Sequence, residues 1–396
     1  VSFTFPAVPV GATRFVPLGP DRLLDTRSAG DITGGQPVAA GGGIDLLIAG
    51  RRGVPATGVA AVVLNVTAAQ ASAPGFVTVW PSQLARPEVS SLNVTALGQN
   101  IANLVTVKLG VNGKVSIYSQ SGTHVVVDVA GYYETVSASV SAGRYTPLTP
   151  NRILDTRASN GVPGTNPIPV GRSIDVVVAG RGGVPATGVS AVVLNVTAAQ
   201  ALAPGFVTVW PTGVAQPTAS NLNVTFAGQN IANLVVVKLG TGGQVSLFTQ
   251  SGTHLVADVA GWFGDDSQTA GTSGLFVPLD PVRILDTRTA TGVATTTSIP
   301  PNTAITLSVA GHGGAPAIGT AAVVMNVTAA QATGVGFVTV WPTGVMQPTA
   351  SNLNVTSVGQ NIPNLVSVAI GDAGSVSLYT QGGTHLLADL AGYYVA

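Results

Sequence analysis

The stretch LNVTAAQASAPGFVTVW at Leu64–Trp80 returns nearly unchanged at Leu194–Trp210 and, with Met in first place, at Met325–Trp341. A thinner copy follows each one: Leu92–Thr95 with Val105–Val107, Leu222–Thr225 with Val235–Val237, and Leu353–Thr356 with Val366–Val368. Apolar and polar residues alternate in steps of two, as in a strand with one face buried. Each copy therefore reads as two short strands joined by a connection, with two such units per repeat. The repeats open on FVPLGPDRLLDTR from Phe15, YTPLTPNRILDTR from Tyr145 and FVPLDPVRILDTR from Phe276. A repeat this long is a whole domain and not a solenoid rung.

Between these landmarks the chain yields about eight or nine strand candidates per repeat, punctuated by Gly, Pro and Asn. No stretch holds a helical apolar period. The fold class expected is all-β: three tandem antiparallel β-sandwich (jelly-roll-like) domains over 15–134, 145–264 and 275–396. Residues 1–14 form a strand-like arm, in which Val1, Phe3 and Phe5 alternate with Ser2 and Thr4, followed by Val8 and Val10. The linkers are Glu134–Arg144 and Gly264–Gly274, the second polar and expected to be flexible. The arm stands where a linker would. Its side chains barely offset the cost of ordering the backbone, so it needs a groove that also pairs that backbone. The groove of a neighbouring chain is the reading favoured here, as in strand addition.

Charge narrows the function. Only 8% of residues are charged and the net charge is zero, against about 25% charged residues in an ordinary domain. Lysine occurs at Lys108, Lys114 and Lys238 alone. There is no basic stripe for nucleic acid, no apolar run long enough for a spanning helix, and no cysteine. The opening at Val1, without a basic and apolar leader, is expected of a mature exported product. A surface this poor in charge has little to oppose self-association.

The segments Arg22–Arg27, Gly53–Ala68 and Thr123–Tyr133, with their counterparts, resemble the RILDTR/DVAGYY-type repeat domain of secreted and cell-surface proteins of actinobacteria and similar bacteria. The resemblance covers about nine-tenths of the chain. It implies an extracellular, β-rich module with no established activity, and hence no catalytic residues or cofactor.

Few ionisable positions recur in all three repeats: Arg22/Arg152/Arg283, Asp25/Asp155/Asp286, Arg27/Arg157/Arg288, His124/His254/His385 and Asp128/Asp258/Asp389. A triad of Ser121, His124 and Asp128 fails because Gly382 replaces the serine in the third repeat. One His and one Asp fall short of a metal site. The aspartates are instead expected to pair with the recurring arginines and fix the first strand against the last, so that Asp128→Ala costs about 3–5 kcal/mol. Trp80, Trp210 and Trp341 end the VTVW strands on the face opposite Val77 and Val79. They either form a platform for sugar rings or fill an interface. Six N-V-T sequons, at Asn65, Asn93, Asn195, Asn223, Asn326 and Asn354, lie within strands. Together these readings point to a non-enzymatic extracellular structural protein, a subunit of a cell-surface filament, layer or matrix, joined head to tail to copies of itself through the arm. The alternative is a trivalent carbohydrate- or cell-wall-binding module.

Overall fold

The computed structural model describes residues 7–396, and its regular secondary structure is almost wholly antiparallel strand. The first module holds β1 (Thr13–Asp25), β2 (Gly42–Leu47), β3 (Val59–Ala69), β4 (Gly75–Pro81), β5 (Leu92–Val94), β6 (Ile101–Lys108), β7 (Lys114–Ser119) and β8 (His124–Thr135). The second holds β9 (Tyr145–Asp155), β10 (Arg172–Val177), β11 (Val189–Ala199), β12 (Gly205–Pro211), β13 (Leu222–Val224), β14 (Ile231–Lys238), β15 (Gln244–Thr249) and β16 (His254–Gly264). The third holds β17 (Phe276–Asp286), β18 (Thr303–Ser308), β19 (Thr320–Ala330), β20 (Gly336–Pro342), β21 (Leu353–Val355), β22 (Ile362–Ala369), β23 (Ser375–Thr380) and β24 (His385–Val395).

In the first module one sheet runs β1-β8-β3-β6 and the other β2-β7-β4-β5. That pairing of strand orders is an eight-stranded jelly roll, and the other two modules repeat it. The chain changes sheet at each repeated unit: β3 and β4 lie in opposite sheets, as do β5 and β6. The connection after LNVT is short, because β3 continues to Ala69 and β4 starts at Gly75.

Two apolar surfaces follow from the alternation. On β3, Val62, Leu64, Val66 and Ala68 fill the sandwich, while Ala61 and Val63 join a separate cluster on the other face. An extra residue in β8, Ala130, sits opposite the Val63–Leu64 step. Such a bulge re-aims the side chains that follow it. Tyr132 thus turns to the sandwich and Tyr133 to the second cluster.

That second cluster draws on all three modules. Phe15, Tyr133, Phe276, Tyr394, Tyr145 and Phe263 form a closed ring of neighbours, with centroids 5.2, 4.3, 5.0, 4.2, 5.1 and 4.4 Å apart in that order, the last step returning to Phe15. Steps within a module alternate with steps between modules, so the three sandwiches surround a pseudo-threefold axis. The glycine of each AGYY or AGWF close is part of this arrangement. A Cβ on Gly131, Gly261 or Gly392 would collide with the ring of Phe15, Tyr145 or Phe276.

The arm and linkers take equivalent places in the ring. Phe15 N–H donates to Gly143 O at 2.9 Å and Tyr145 N–H to Gly274 O at 2.8 Å, each bond joining one module to the segment that leads into the next. Phe276 meets the arm instead: Thr13 pairs with it across strands, and Thr13 Oγ1 donates to Phe276 O at 2.7 Å. Ala12 and Thr13, the end of the arm as read from sequence, therefore pair within their own chain, Ala12 O accepting from Val136 N–H at 3.2 Å, and the neighbouring-chain reading is left to the residues before them. Backbone pairing is available in cis and closes the ring. Thr13 and Arg14 belong to β1 and not to the arm. Val8 is half-buried against the core, whereas Val10 is exposed; Val1, Phe3 and Phe5 lie outside the described residues. The second linker is not the loose tether expected of its composition. Val140 and Gly271 exchange backbone hydrogen bonds of 3.2 and 3.0 Å, and Arg144 donates to Ser273 O at 3.1 Å.

Candidate functional site

The seams between modules gather recurring asparagines and arginines. On β6, Asn103 is almost fully buried, as are Asn233 on β14 and Asn364 on β22. Their side-chain oxygens accept from the next module in a closed cycle: Leu365 N–H to Asn103 at 3.2 Å, Leu104 N–H to Asn233 at 3.2 Å and Leu234 N–H to Asn364 at 3.0 Å. Each Nδ2 donates to a carbonyl of its own module and to an asparagine of a neighbour: Asn103 to Asn326, Asn233 to Asn65, Asn364 to Asn195. Those neighbours are the first-sequon asparagines, and each reaches across its seam. Asn65 donates to Ser220 O and Asn195 to Ser351 O at 2.6 Å, and Asn326 to Ser90 O at 2.7 Å. Buried amides are tolerated because both ends are hydrogen-bonded.

The recurring charges stand beside the asparagines. Arg152 Nε donates to Asp258 at 2.9 Å and Arg283 Nε to Asp389 at 2.8 Å, which ties first strand to last, and Arg22 treats Asp128 alike. The second guanidinium, Arg27, Arg157 or Arg288, closes on Asp25, Asp155 or Asp286 through Nε and Nη2. Burial pushes the Asp128, Asp258 and Asp389 carboxyls up from their ordinary value, and the paired arginines draw them partly back. Hydrogen bonds from Arg27 and Arg157 hold Asp25 and Asp155 below theirs. Arg22 also donates to Thr218 O of the second module at 2.6 Å, and Arg152 to Thr349 O of the third at 3.0 Å. The same arginine thus locks its own sandwich and reaches its neighbour.

The other candidates are local. His124, His254 and His385 share Nδ1 with Thr26, Thr156 and Thr287 at 3.1, 2.9 and 2.8 Å. Ser121 donates to Pro74 O and turns away from any triad with His124. Trp80, Trp210 and Trp341 each donate Nε1 to a carbonyl four residues on: Leu84, Val214 and Val345, at 3.0, 3.1 and 3.1 Å. The loops after β12 and β20 fold back over their rings, leaving Trp210 and Trp341 only 6% exposed, while Trp80 beside the loop after β4 is half-buried. Rings covered as Trp210 and Trp341 are offer no face to a sugar, and at these two the geometry favours the packing role.

Two seams open into clefts. Between the first and second modules, Arg22, Arg27, Phe206, Gln216 and Thr218 line a space of 580 Å³. Between the third and first, Arg283, Arg288, Phe76, Arg86 and Glu88 line one of 790 Å³. Among the described residues no group of three His, Cys, Asp or Glu is placed to hold a metal ion.

The aromatic ring and the asparagine cycle were not foreseen from sequence. Their signal is present as Phe, Tyr and Asn at matching places in all three repeats.

No protein-family model matches the chain. No curated protein matches it either. Two solved structures align along its length. One, described as "Life in the extremes: atomic structure of Sulfolobus Turreted Icosahedral Virus", is 10% identical, with 100% of this chain and 99% of that one covered and a TM-score of 0.17. The other, "The Triple Jelly Roll Fold and Turret Assembly in an Archaeal Virus", is 10% identical over 99% and 98% of the two chains, again at 0.17. Likeness at that TM-score carries no argument, and the jelly-roll assignment rests on the strand orders alone.

Proposed function

We propose that this chain is a non-enzymatic structural protein of the cell exterior, a ready-made three-module block that assembles with further copies into a surface layer, filament or matrix. The observation that carries this reading is the fate of the recurring ionisable residues. Every arginine and aspartate repeated in the three modules is held in an ion pair within its own module. The charge-poor surface adds support, since little net repulsion opposes contact between copies. The extracellular setting is the one implied by the resemblance of the repeats. Assembly through Thr13 is not part of this reading, because that residue already closes the ring within the chain. Copies meet through outer surfaces or through residues 1–6.

Negative-stain microscopy with light scattering on the full chain tests the reading. Regular sheets or filaments are expected as concentration rises, with removal of residues 1–6 reporting the arm's share. A single particle of one-chain mass at every concentration overturns it.

A further inference from the structure

The three seams are built alike, but one carries charge where the others do not. In the loop after β4, the second and third modules have Gln216 with Thr218 and Gln347 with Thr349, while the first has Arg86 with Glu88. At the neutral seams the β1-type arginine reaches the loop, as Arg22 does to Thr218 O and Arg152 to Thr349 O. Arg283 bonds Asp389 and Asp286 and makes no such bond to Glu88. The charged seam is correspondingly roomier, at 790 Å³ against 580 Å³. That size lies in the usual range for a small-ligand site, about 300–1,000 Å³.

Its lining also holds charged groups left without an ionic partner among the described residues. The Arg86 guanidinium stacks 3.8 Å above the Tyr118 ring and pairs with no carboxylate among the described residues. Glu88 likewise has no cationic partner among them. Arg288 binds Asp286 through Nε and Nη2, leaving Nη1 unengaged. Asn93 and Gln120 complete the wall beside the edge of Phe76.

We infer that the cleft between the third and first modules binds a carboxylate-bearing oligosaccharide. A planar guanidinium held on an aromatic face is preorganised for bidentate contact with a carboxylate. Sugar hydroxyls both donate and accept, which suits a wall that offers a carboxylate acceptor and amides together. An acidic peptide fits less well, because it lacks the sugar hydroxyls that can donate to Glu88 and exchange hydrogen bonds with the Asn93 and Gln120 amides. The site differs from the tryptophan platform read from sequence and is single, not trivalent.

The test is calorimetric titration of the full chain with tri-galacturonate, with maltotriose and hexaglutamate as comparison probes. The key variant is Arg86→Gln, which installs the residue found at this place in the other modules and so leaves the fold intact, as an unchanged melting curve would verify. Tri-galacturonate is expected to bind once per chain and more tightly than either comparison probe. Its affinity should fall about tenfold or more in Arg86→Gln, the loss of one charged hydrogen-bonding group. No binding of tri-galacturonate, equal binding by the variant, or hexaglutamate binding as tightly would each overturn the proposal.

Discussion

The backbone N–H of Leu365 donates to the side-chain oxygen of Asn103 at 3.2 Å, across a chain separation of 262 residues. The bond joins β22 to β6 and is one of three that lead round the axis. Replacing Asn103 with Ala strands a buried N–H, which costs about 1–3 kcal/mol. The same loss is expected at Asn233 and Asn364, and urea denaturation of the three single variants measures it. The double variant Asn103→Ala/Asn364→Ala should depart from additivity, since members of one polar network couple.

The aromatic ring should respond more strongly. Phe263 is fully buried between Phe15 and Tyr145. Phe263→Ala is expected to destabilise by about 3–5 kcal/mol. Tyr394→Phe removes only the 2.7 Å bond between the Tyr133 and Tyr394 hydroxyls, and should cost about 1 kcal/mol. Thermal unfolding of both variants separates packing from hydrogen bonding at the axis.

Acid should expose the arginine–aspartate pairs. Asp155 is held below its ordinary value of 3.8, chiefly by the hydrogen bond from Arg157. Its folded form favours ionisation, so its contribution is present above that value and lost as pH falls through the lowered pKa. Asp155→Asn should therefore be less stable than the parent at neutral pH. The gap should close in strong acid, as followed by denaturation at a series of pH values.

Much of this is legible in the sequence. The two-residue alternation puts Asn65 and Thr67 opposite Leu64 and Val66, and the repeat offset marks three domains. The seam was not legible, because nothing in a period-two pattern tells a solvent face from one that meets another module. Phe15 and Tyr133 open and close a repeat, and only the fold brings them beside Phe276 and Phe263. Composition misled at Gly264–Gly274, where a polar sequence is held by backbone pairing with the first linker. The sugar-platform option for Trp210 and Trp341 overlooked the loop that folds back to receive each indole N–H.

The sequons give an independent check of the seams. Asn65, Asn195 and Asn326 are buried and donate across module boundaries. Produced in a host that glycosylates N-x-T sites, the folded chain should carry no glycan on these three. Peptide mass mapping reads this site by site.

Closure of the three modules within one chain is the central claim, and Lys108 reports on it directly. Its ammonium lies 2.9 Å from the Asp280 carboxylate, joining the first module to the third. With so few lysines in the chain, a zero-length carbodiimide crosslink is easily assigned. Dilute protein should yield a Lys108–Asp280 crosslink within single chains, lost in denaturant. Absence of that link, or its recovery solely between chains, would contradict the closed ring.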